Sequence, residues 1–209
     1  MKLLLSLIII VAVAGAAGAA VVSQSHDFSV GWHLISLPGI PMNPNPPDVF
    51  GSVPVDARLI RWEAPTQSLC TYDEWMPEEF GNMLVGDGYW LRATAAGRVS
   101  YPALDDLDSM DIRVSLPKAG WSIIGNPFSY NFPWESAKVT DGIETISLTE
   151  ARTRLWLNSI GLWWNSDTQS LCEVGMPDDY AISNQLLPWH GYWVHVTKDS
   201  IALILESQQ

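Results

Sequence analysis

The sequence predicts an all-β protein made of two tandem antiparallel β-sandwich-like repeats, with one short helix in the second repeat. Three observations lead to this fold class. Short apolar segments are bounded by turn residues. The 209 residues include 15 Gly and 14 Pro, which implies many turns. A series of motifs also occurs twice in the same order, and such internal repetition decides the architecture.

The clearest repeated motif is Thr-Gln-Ser-Leu-Cys, which occurs at Thr66–Cys70 and at Thr168–Cys172. Three further blocks accompany each copy: a Gly-Trp pair before it, and a Met-Pro pair and a Gly-Tyr-Trp triplet after it. These blocks are Gly31-Trp32 and Gly120-Trp121, Met76-Pro77 and Met176-Pro177, and Gly88-Tyr89-Trp90 and Gly191-Tyr192-Trp193. The copies differ in the length of their loops, which tolerate insertions.

The repeats set the predicted domain boundaries. Residues 1–20 are predicted to be a cleaved signal peptide, with Lys2 as the basic start, Leu3–Ala14 as the apolar segment and small residues before the cleavage site. The alternative is an uncleaved membrane anchor, because Leu3–Val22 is long enough to span a bilayer. Repeat 1 follows at 21–101, an acidic linker at 102–118 and repeat 2 at 119–209. Either reading of the N-terminus predicts a secreted or cell-surface protein.

Each repeat is predicted to contain the same strands. Val30–Leu37 is apolar on both faces, which predicts a buried strand. Arg58–Glu63 and Gln67–Tyr72 predict a β-hairpin, and Tyr89–Ala93 and Arg98–Tyr101 predict the two strands that complete the sheet. The second copy repeats this pattern at Leu162–Asn165, Thr168–Glu173, Gly191–Val196 and Ile201–Leu205.

Two connecting segments differ from this strand pattern. Gly39–Ala57 contains so many prolines that it predicts a loop without a long regular element. In Ser147–Ala151, Ser147 is followed three residues later by Glu150, which is a capping-box pattern for a short helix. We expect no other helix after the N-terminal segment.

Composition limits the partners and the chemistry. The formal net charge is −12 at pH 7, so the surface repels nucleic acid and anionic lipid head groups. We therefore expect no nucleic-acid partner, and membrane contact only if the N-terminal segment is retained.

Cys70 and Cys172 occupy equivalent positions in the repeats. Export would permit a disulfide between them, and two buried thiols fit the sequence equally well.

The second copy contains Gly120–Phe128, which reads GWSIIGNPF, and later Gly191–Val194, which reads GYWV. This combination resembles the "GWNLIGNPF…GYWV" β-sandwich module of exported bacterial and archaeal proteins. Gly31–Pro38 resembles its "GWNLISLP" version. The resemblance covers nearly the whole chain after the N-terminal segment. It implies an all-β extracellular module and brings no catalytic residues.

Motifs for catalysis or metal binding are absent from the sequence. The four histidines have no transition-metal spacing, and no phosphate loop or nucleophile motif occurs, so we expect no enzyme and no cofactor. The paired acids Glu78-Glu79 and Asp178-Asp179 raise the alternative of a glycoside hydrolase, but adjacent strand residues point to opposite faces. A weak calcium candidate remains in the linker, without EF-hand spacing: Asp105, Asp106, Asp108 and Asp111.

Tryptophan is the remaining candidate for function, since the chain has 11. We expect Trp32 and Trp121 to lie in the core. Trp90 with Arg92, and Trp193 with His195, lie on the face opposite the Tyr-aliphatic stripe. An indole beside a polar donor can hold a sugar ring, so these four residues form a hypothetical ligand site. The alternative is that a loop such as Gly39–Ala57 covers this face.

These observations favour a non-enzymatic extracellular structural or adhesion protein that self-assembles or binds other cell-surface proteins. The alternative is a pair of carbohydrate-binding modules with polysaccharide as the partner, and a secreted hydrolase is the third class. For self-assembly we expect strand exchange at Val21–Val30 or at the apolar closing strand Ile201–Leu205, because an unpaired edge is a template for another chain.

Overall fold

The structure is a computed structural model that describes residues 21–51, 58–104, 108–179 and 181–208. The predicted signal peptide or anchor at 1–20 lies outside the described residues. The described residues form five sheets in which the strands pair antiparallel. The predicted all-β class is therefore confirmed.

Seven strands lie in the first half of the described chain. They are β1 (Val21–Phe28), β2 (Gly31–Ser36), β3 (Ile40–Pro41), β4 (Arg58–Glu63), β5 (Ser68–Thr71), β6 (Gly88–Ala93) and β7 (Gly97–Leu104). The second half contains β8 (Ile112–Leu116), β9 (Gly120–Gly125), β10 (Phe132–Pro133), β11 (Lys138–Thr140), β12 (Thr145–Ser147), β13 (Gly161–Asn165), β14 (Ser170–Val174), β15 (Gln185–Leu186), β16 (Gly191–Val196) and β17 (Ile201–Leu205).

The described helices are short: α1 (Pro46–Phe50), α2 (Pro77–Phe80), α3 (Leu148–Thr153) and a 3-10 turn at Trp134–Ser136. The predicted cap of α3 is confirmed, because Ser147 Oγ accepts a hydrogen bond from the Glu150 amide at 3.2 Å. The expectation of only one helix is wrong. Both α1 and α2 begin with proline and span about one turn, so they are too short to produce a periodic apolar pattern.

Four of the sheets form two sandwiches. A first outer sheet with strand order β1-β7-β3 packs on a first inner sheet with order β2-β6-β4-β5. A second inner sheet with order β14-β13-β16-β9 packs on a second outer sheet with order β12-β11-β17-β8. The fifth sheet is the pair β10-β15.

The strands that carry the repeated motifs occupy the same places in the two inner sheets. In the first, β2 pairs with β6 so that Gly31 lies opposite Ala93. In the second, β9 pairs with β16 so that Gly120 lies opposite Val196. The hairpins β4–β5 and β13–β14 also share their register, with Glu63 opposite Ser68 and Asn165 opposite Ser170.

Each sandwich encloses its own core. Tyr89, Leu91 and Tyr101 are buried in the first core. The second core is larger and contains Trp134, which is fully buried and donates its indole N–H to the Ser159 carbonyl at 2.5 Å. Buried tryptophan therefore exists in this protein, but not at the repeated Gly-Trp positions.

Three sequence-based expectations differ from the structure. Trp32 and Trp121 are not core residues: Trp32 is half-buried and Trp121 is 40% exposed. The segment 102–118 is more than a linker, because β7 extends to Leu104 and Ile112–Leu116 forms β8. The closing strand Ile201–Leu205 is not an edge, because β17 lies between β11 and β8. For the tryptophans and the closing strand, an apolar run has the same appearance whichever neighbour covers it. In 102–118 the alternating residues of β8, with Val114 and Leu116 buried, follow directly after the acidic residues.

The two inner sheets hold each other through the glutamines of the repeated pentapeptides. The Gln67 side chain accepts a hydrogen bond from the Trp121 amide at 2.8 Å and donates to the Trp121 carbonyl at 2.9 Å. Gln169 makes the same pair of bonds to Trp32, at 3.1 Å each. We call these two contacts the glutamine clasps. Each clasp satisfies the outward backbone groups of an edge strand in the other half.

The remaining residues of the pentapeptide shape the turn that carries each clasp. Gln67 and Gln169 have positive φ values of 53° and 50°. Their amide nitrogens also donate to Ala64 and Ser166 carbonyls in their own turns, at 2.7 and 2.6 Å. The Thr and Ser hydroxyls on either side of each glutamine are 2.7 Å apart in both copies.

The glycine of each Gly-Trp pair makes room for the clasp. Gly31 and Gly120 have φ values of +125° and +128°, which disfavour any residue with a Cβ atom. A Cβ on Gly31 would lie 2.9 Å from Gln169 Nε2, and the corresponding atom on Gly120 would meet Gln67. The repeated Gly-Trp and Thr-Gln-Ser-Leu-Cys motifs are therefore the two sides of one contact.

We predict that Gln67→Ala and Gln169→Ala each lower the free energy of unfolding by about 1–3 kcal/mol, because each removes the two hydrogen bonds that cross the clasp, worth about 0.5–1.5 kcal/mol apiece. Urea denaturation followed by tryptophan fluorescence measures the change. Gln208→Ala is the matched control, since Gln208 is exposed and outside both clasps. If the wild type unfolds in two separate steps and both variants have the wild-type free energy of unfolding, the glutamine clasps do not stabilise the contact between the halves.

Candidate functional site

An aromatic cleft lies where the two inner sheets meet. Its volume is about 440 Å³. Five tryptophans and two aliphatic residues line it: Trp32, Ile60, Trp62, Leu69, Trp90, Trp164 and Trp193. Leu69 is 58% exposed, and the cleft tryptophans are half-buried, so the apolar surface remains open to solvent.

The cleft tryptophans, together with Trp121, form two edge-to-face series that link the halves. Trp90 contacts Trp32 of its own sheet at 6.0 Å between ring centroids and Trp164 of the other sheet at 5.4 Å. Trp193 similarly contacts Trp121 at 6.1 Å and Trp62 at 5.0 Å. Such T-shaped pairs fix the ring orientations, which gives the cleft a defined shape.

The structure brings the predicted ligand-binding tryptophans together and places their polar partners beside them. Trp90 and Trp193 both line the cleft, on the face opposite the buried Tyr89 and Tyr192. The Arg92 guanidinium lies over the Trp32 ring at 5.9 Å. The His195 ring meets Trp121 at 5.0 Å. The ring contacts of Trp90 and Trp193 are with tryptophans of the two sheets. Residues 52–57 of the loop expected to cover this face lie outside the described residues.

Sequence reasoning missed Trp62 and Trp164 as cleft residues. Both precede the repeated pentapeptide by the same number of positions, so the repeat itself contained the signal. Their environments differ: the Trp62 indole N–H donates to the Trp121 carbonyl at 2.7 Å, whereas the Trp164 indole N–H is buried without an acceptor among the described residues.

Three histidines form a second cluster between the halves. His26 stacks on Trp189 with 5.2 Å between ring centroids, and both line a small cavity with His33 and His190. His33 Nε2 lies 2.8 Å from the Ser29 carbonyl, and His190 Nδ1 lies 2.9 Å from the Pro188 carbonyl. Because a carbonyl only accepts, these two ring nitrogens carry protons.

Burial lowers the pKa of all three clustered histidines below 6.5, the ordinary value. The neighbouring rings add to this effect: His190 and His33 lower the pKa of His26, and His33 lowers that of His190. Asp27 opposes the shift at His26, and at His33 the Ser29 carbonyl and Asp167 oppose it. The folded protein therefore favours three neutral rings.

The other candidate residues have structural contacts. Cys70 and Cys172 are free, half-buried thiols, so the possible disulfide is not formed in the structure. Arg152 binds both Asp178 and Asp179, at 2.9 and 2.8 Å, which uses this acid pair for an ion-pair network.

Two of the four calcium candidates, Asp105 and Asp106, lie outside the described residues. Asp108 accepts a hydrogen bond from the Ser129 amide at 3.0 Å, and Asp111 accepts one from the Ser207 amide at 3.0 Å. Within the described ranges, no group of three or more His, Cys, Asp or Glu side chains is arranged to hold a metal ion.

Comparisons of the chain with protein-family models, with curated proteins and with solved structures found no match. None of the helices in the described part of the chain has the length and apolar character needed to cross a membrane.

We predict that the protein loses stability as the pH falls below about 6.5, the ordinary histidine pKa. Each clustered histidine has a lower pKa in the folded state, so the unfolded state binds more protons in this range and acid favours unfolding. Urea midpoints at pH 7.5 and pH 5 test this. His26→Phe, which preserves stacking on Trp189, should reduce the pH dependence, whereas His195→Phe, outside the cluster, should retain it. Equal pH dependence in wild type and His26→Phe would exclude a contribution from His26.

Proposed function

We propose that this protein is a non-enzymatic extracellular adhesion protein that binds polysaccharide through the aromatic cleft. The observation that supports this most is the set of five tryptophans held around one open cleft. A contiguous apolar patch of this kind that is open to solvent marks a surface that contacts a partner. The resemblance to exported β-sandwich modules supports an extracellular location.

A sugar ring fits the chemistry of this cleft. The C–H face of a pyranose is apolar and packs on an indole, while its hydroxyls require hydrogen-bonding groups at the edge. Trp90 and Trp193 provide the apolar floor. Arg92 and His195 lie two residues further along the same strands, opposite Trp32 and Trp121 of the paired strands. Because both halves contribute, the cleft can hold more than one sugar unit of a chain.

We predict that Trp90→Ala and Trp193→Ala each weaken polysaccharide binding at least about tenfold, a change typical of losing one well-packed aromatic contact. A glycan array followed by titration calorimetry on the glycans that bind measures this. Trp75→Ala is the matched control, since Trp75 is 84% exposed and outside the cleft. Full binding by both cleft variants, or no binding of any glycan by the wild type, would contradict the proposal.

Self-assembly through a sheet edge is a second candidate, which the position of β1 favours. This strand of eight residues, Val21–Phe28, lies at the edge of the first outer sheet and pairs only with β7 among the described strands. Its exposed backbone edge can accept a strand from another copy. The second expected site, Ile201–Leu205, is inside a sheet and is not available for this role.

If β1 mediates assembly, the wild-type chain from residue 21 onward should form polymers as its concentration rises. Light scattering and electron microscopy measure this. A variant with Ser23→Lys and Ser25→Lys, two exposed positions of the strand, should remain monomeric because charge on an edge strand opposes pairing. A wild-type protein that is monomeric at millimolar concentration would contradict assembly and leave the cleft proposal untouched.

A further inference from the structure

A second cavity, separate in chemistry from the aromatic cleft, lies between β4 and the β8–β9 region. Its volume is about 280 Å³. Its walls contain the aliphatic and aromatic groups of Trp62, Pro65, Pro117 and Ile123, and its polar residues include Asp87 and Ser122. We call it the Asp87 pocket. Both halves contribute to it, so it exists only in the assembled pair of sandwiches.

Asp87 brings a half-buried carboxylate to this pocket. No described group donates a hydrogen bond to its carboxylate. Burial raises its pKa to about 6, against the opposing attraction of Arg61, and Glu63 adds to the rise. Arg61 is itself held by Glu63, with Arg61 Nε 2.6 Å from the Glu63 carboxylate. The other titratable neighbour, Tyr89, is buried, with a pKa well above its usual range, so it remains neutral.

Ser122 is the second unsatisfied group. The residue is only 3% exposed, and its hydroxyl has no hydrogen-bond partner among the described residues. Buried hydroxyls are normally paired, because an unpaired one costs free energy. An orphan hydroxyl and a carboxylate without donors thus line one cavity that a ligand could fill.

The equivalent location in the other half provides an internal comparison. There, His33 takes the place of Ser122 and His190 takes the place of Asp87. The space is largely filled, with a cavity of only about 20 Å³, because Trp189 and His26 stack inside it. The His33 and His190 rings also have carbonyl partners, whereas Asp87 and Ser122 have none. The Asp87 pocket is the open and unsatisfied member of the pair.

We propose that the Asp87 pocket binds a primary ammonium group carried on a short apolar chain or a sugar ring. The ammonium donates hydrogen bonds to the Asp87 carboxylate and to the Ser122 hydroxyl oxygen, and a carboxylate prefers a charged donor. The Trp62 ring and the two prolines enclose the attached carbons. An amino sugar and a lysine side chain share this chemistry.

The test uses butylammonium as the probe, with 1-butanol as its uncharged control, followed by NMR titration of the complete chain from residue 21 onward at pH 7.5. We expect saturable shifts around Asp87 with a dissociation constant on the order of millimolar for butylammonium, as is common for so small a ligand. Butanol should bind at least about tenfold more weakly, since it lacks the charge. Glucosamine against glucose, and Nα-acetyl-lysine amide against acetyl-norleucine amide, distinguish the two natural sources.

Three variants test the assignment. Asp87→Asn should weaken butylammonium binding at least about tenfold, because it removes the charge that pairs with the ammonium. It should also raise the thermal midpoint of the free protein at pH 7.5, because burial disfavours the charged form of Asp87. Ser122→Ala should weaken it by about threefold or more. Asp48→Asn, which changes an exposed aspartate elsewhere, is the charge-matched control and should change neither butylammonium binding nor the thermal midpoint.

In the wild type, lowering the pH from 7.5 to 5 should weaken butylammonium binding by about tenfold, because a carboxyl with a pKa of about 6 becomes protonated.

Absence of saturable butylammonium binding, equal binding of butanol, or full binding by Asp87→Asn would each overturn the proposal. If Asp87→Asn does not fold, the pH dependence of the wild type and the Ser122→Ala variant still decide it. Trp90→Ala separates this site from the proposed function: it should reduce polysaccharide binding and leave butylammonium binding unchanged, since Trp90 does not line the Asp87 pocket.

Discussion

The rest of the structure depends on the close approach of the two inner sheets. At their meeting point, Gly88 and Gly191 bring the two backbones together: a Cβ on Gly88 would lie 3.3 Å from the Gly191 Cα, and one on Gly191 would lie 2.9 Å from the Ile35 carbonyl. Backbone hydrogen bonds cross here, from the Ser36 amide to the Trp189 carbonyl at 3.2 Å and from the Gly125 amide to the Gly86 carbonyl at 2.7 Å. Only residues without side chains permit this approach.

This contact also covers one edge strand of each inner sheet. The edge strands β2 and β9 would otherwise expose backbone donors and acceptors that other chains could pair with. Each is instead covered at one end by a glutamine clasp and at the other by a backbone bond from the opposite half. Other edge strands keep an open side among the described strands: β1 at the edge of the first outer sheet, and β5 and β14 at the far edges of the inner sheets. The contact therefore protects β2 and β9 and leaves these other edges as the places where a further strand can be added.

The contact between the halves is approximately symmetric, so the histidine cluster and the Asp87 pocket occupy equivalent locations. The residues at these two locations differ in chemistry. At one, three histidines and Trp189 fill the space between the halves. At the other, Asp87 and Ser122 leave it open. Between these locations, the aromatic cleft draws tryptophans from both sheets, so neither half could form it alone. The same framework therefore supports one filled cluster, one polar pocket and one apolar cleft, and the functional proposals rest on the two that remain open.

The sequence by itself determined the strand content, the duplicated motifs, the cap of α3 and the strand face that carries Trp90 and Trp193. These features depend on the alternation of side chains and on hydrogen bonds between residues that are close in sequence. It could not reveal that Trp32 and Trp121 are partly exposed, since an apolar strand face looks the same whether it meets a core or another sheet. Nor could it assign a role to Gln67 and Gln169, whose partners lie in the opposite half. Tertiary structure alone decided these points, because a contact between distant segments depends on how the two sandwiches pack and not on the local pattern of either.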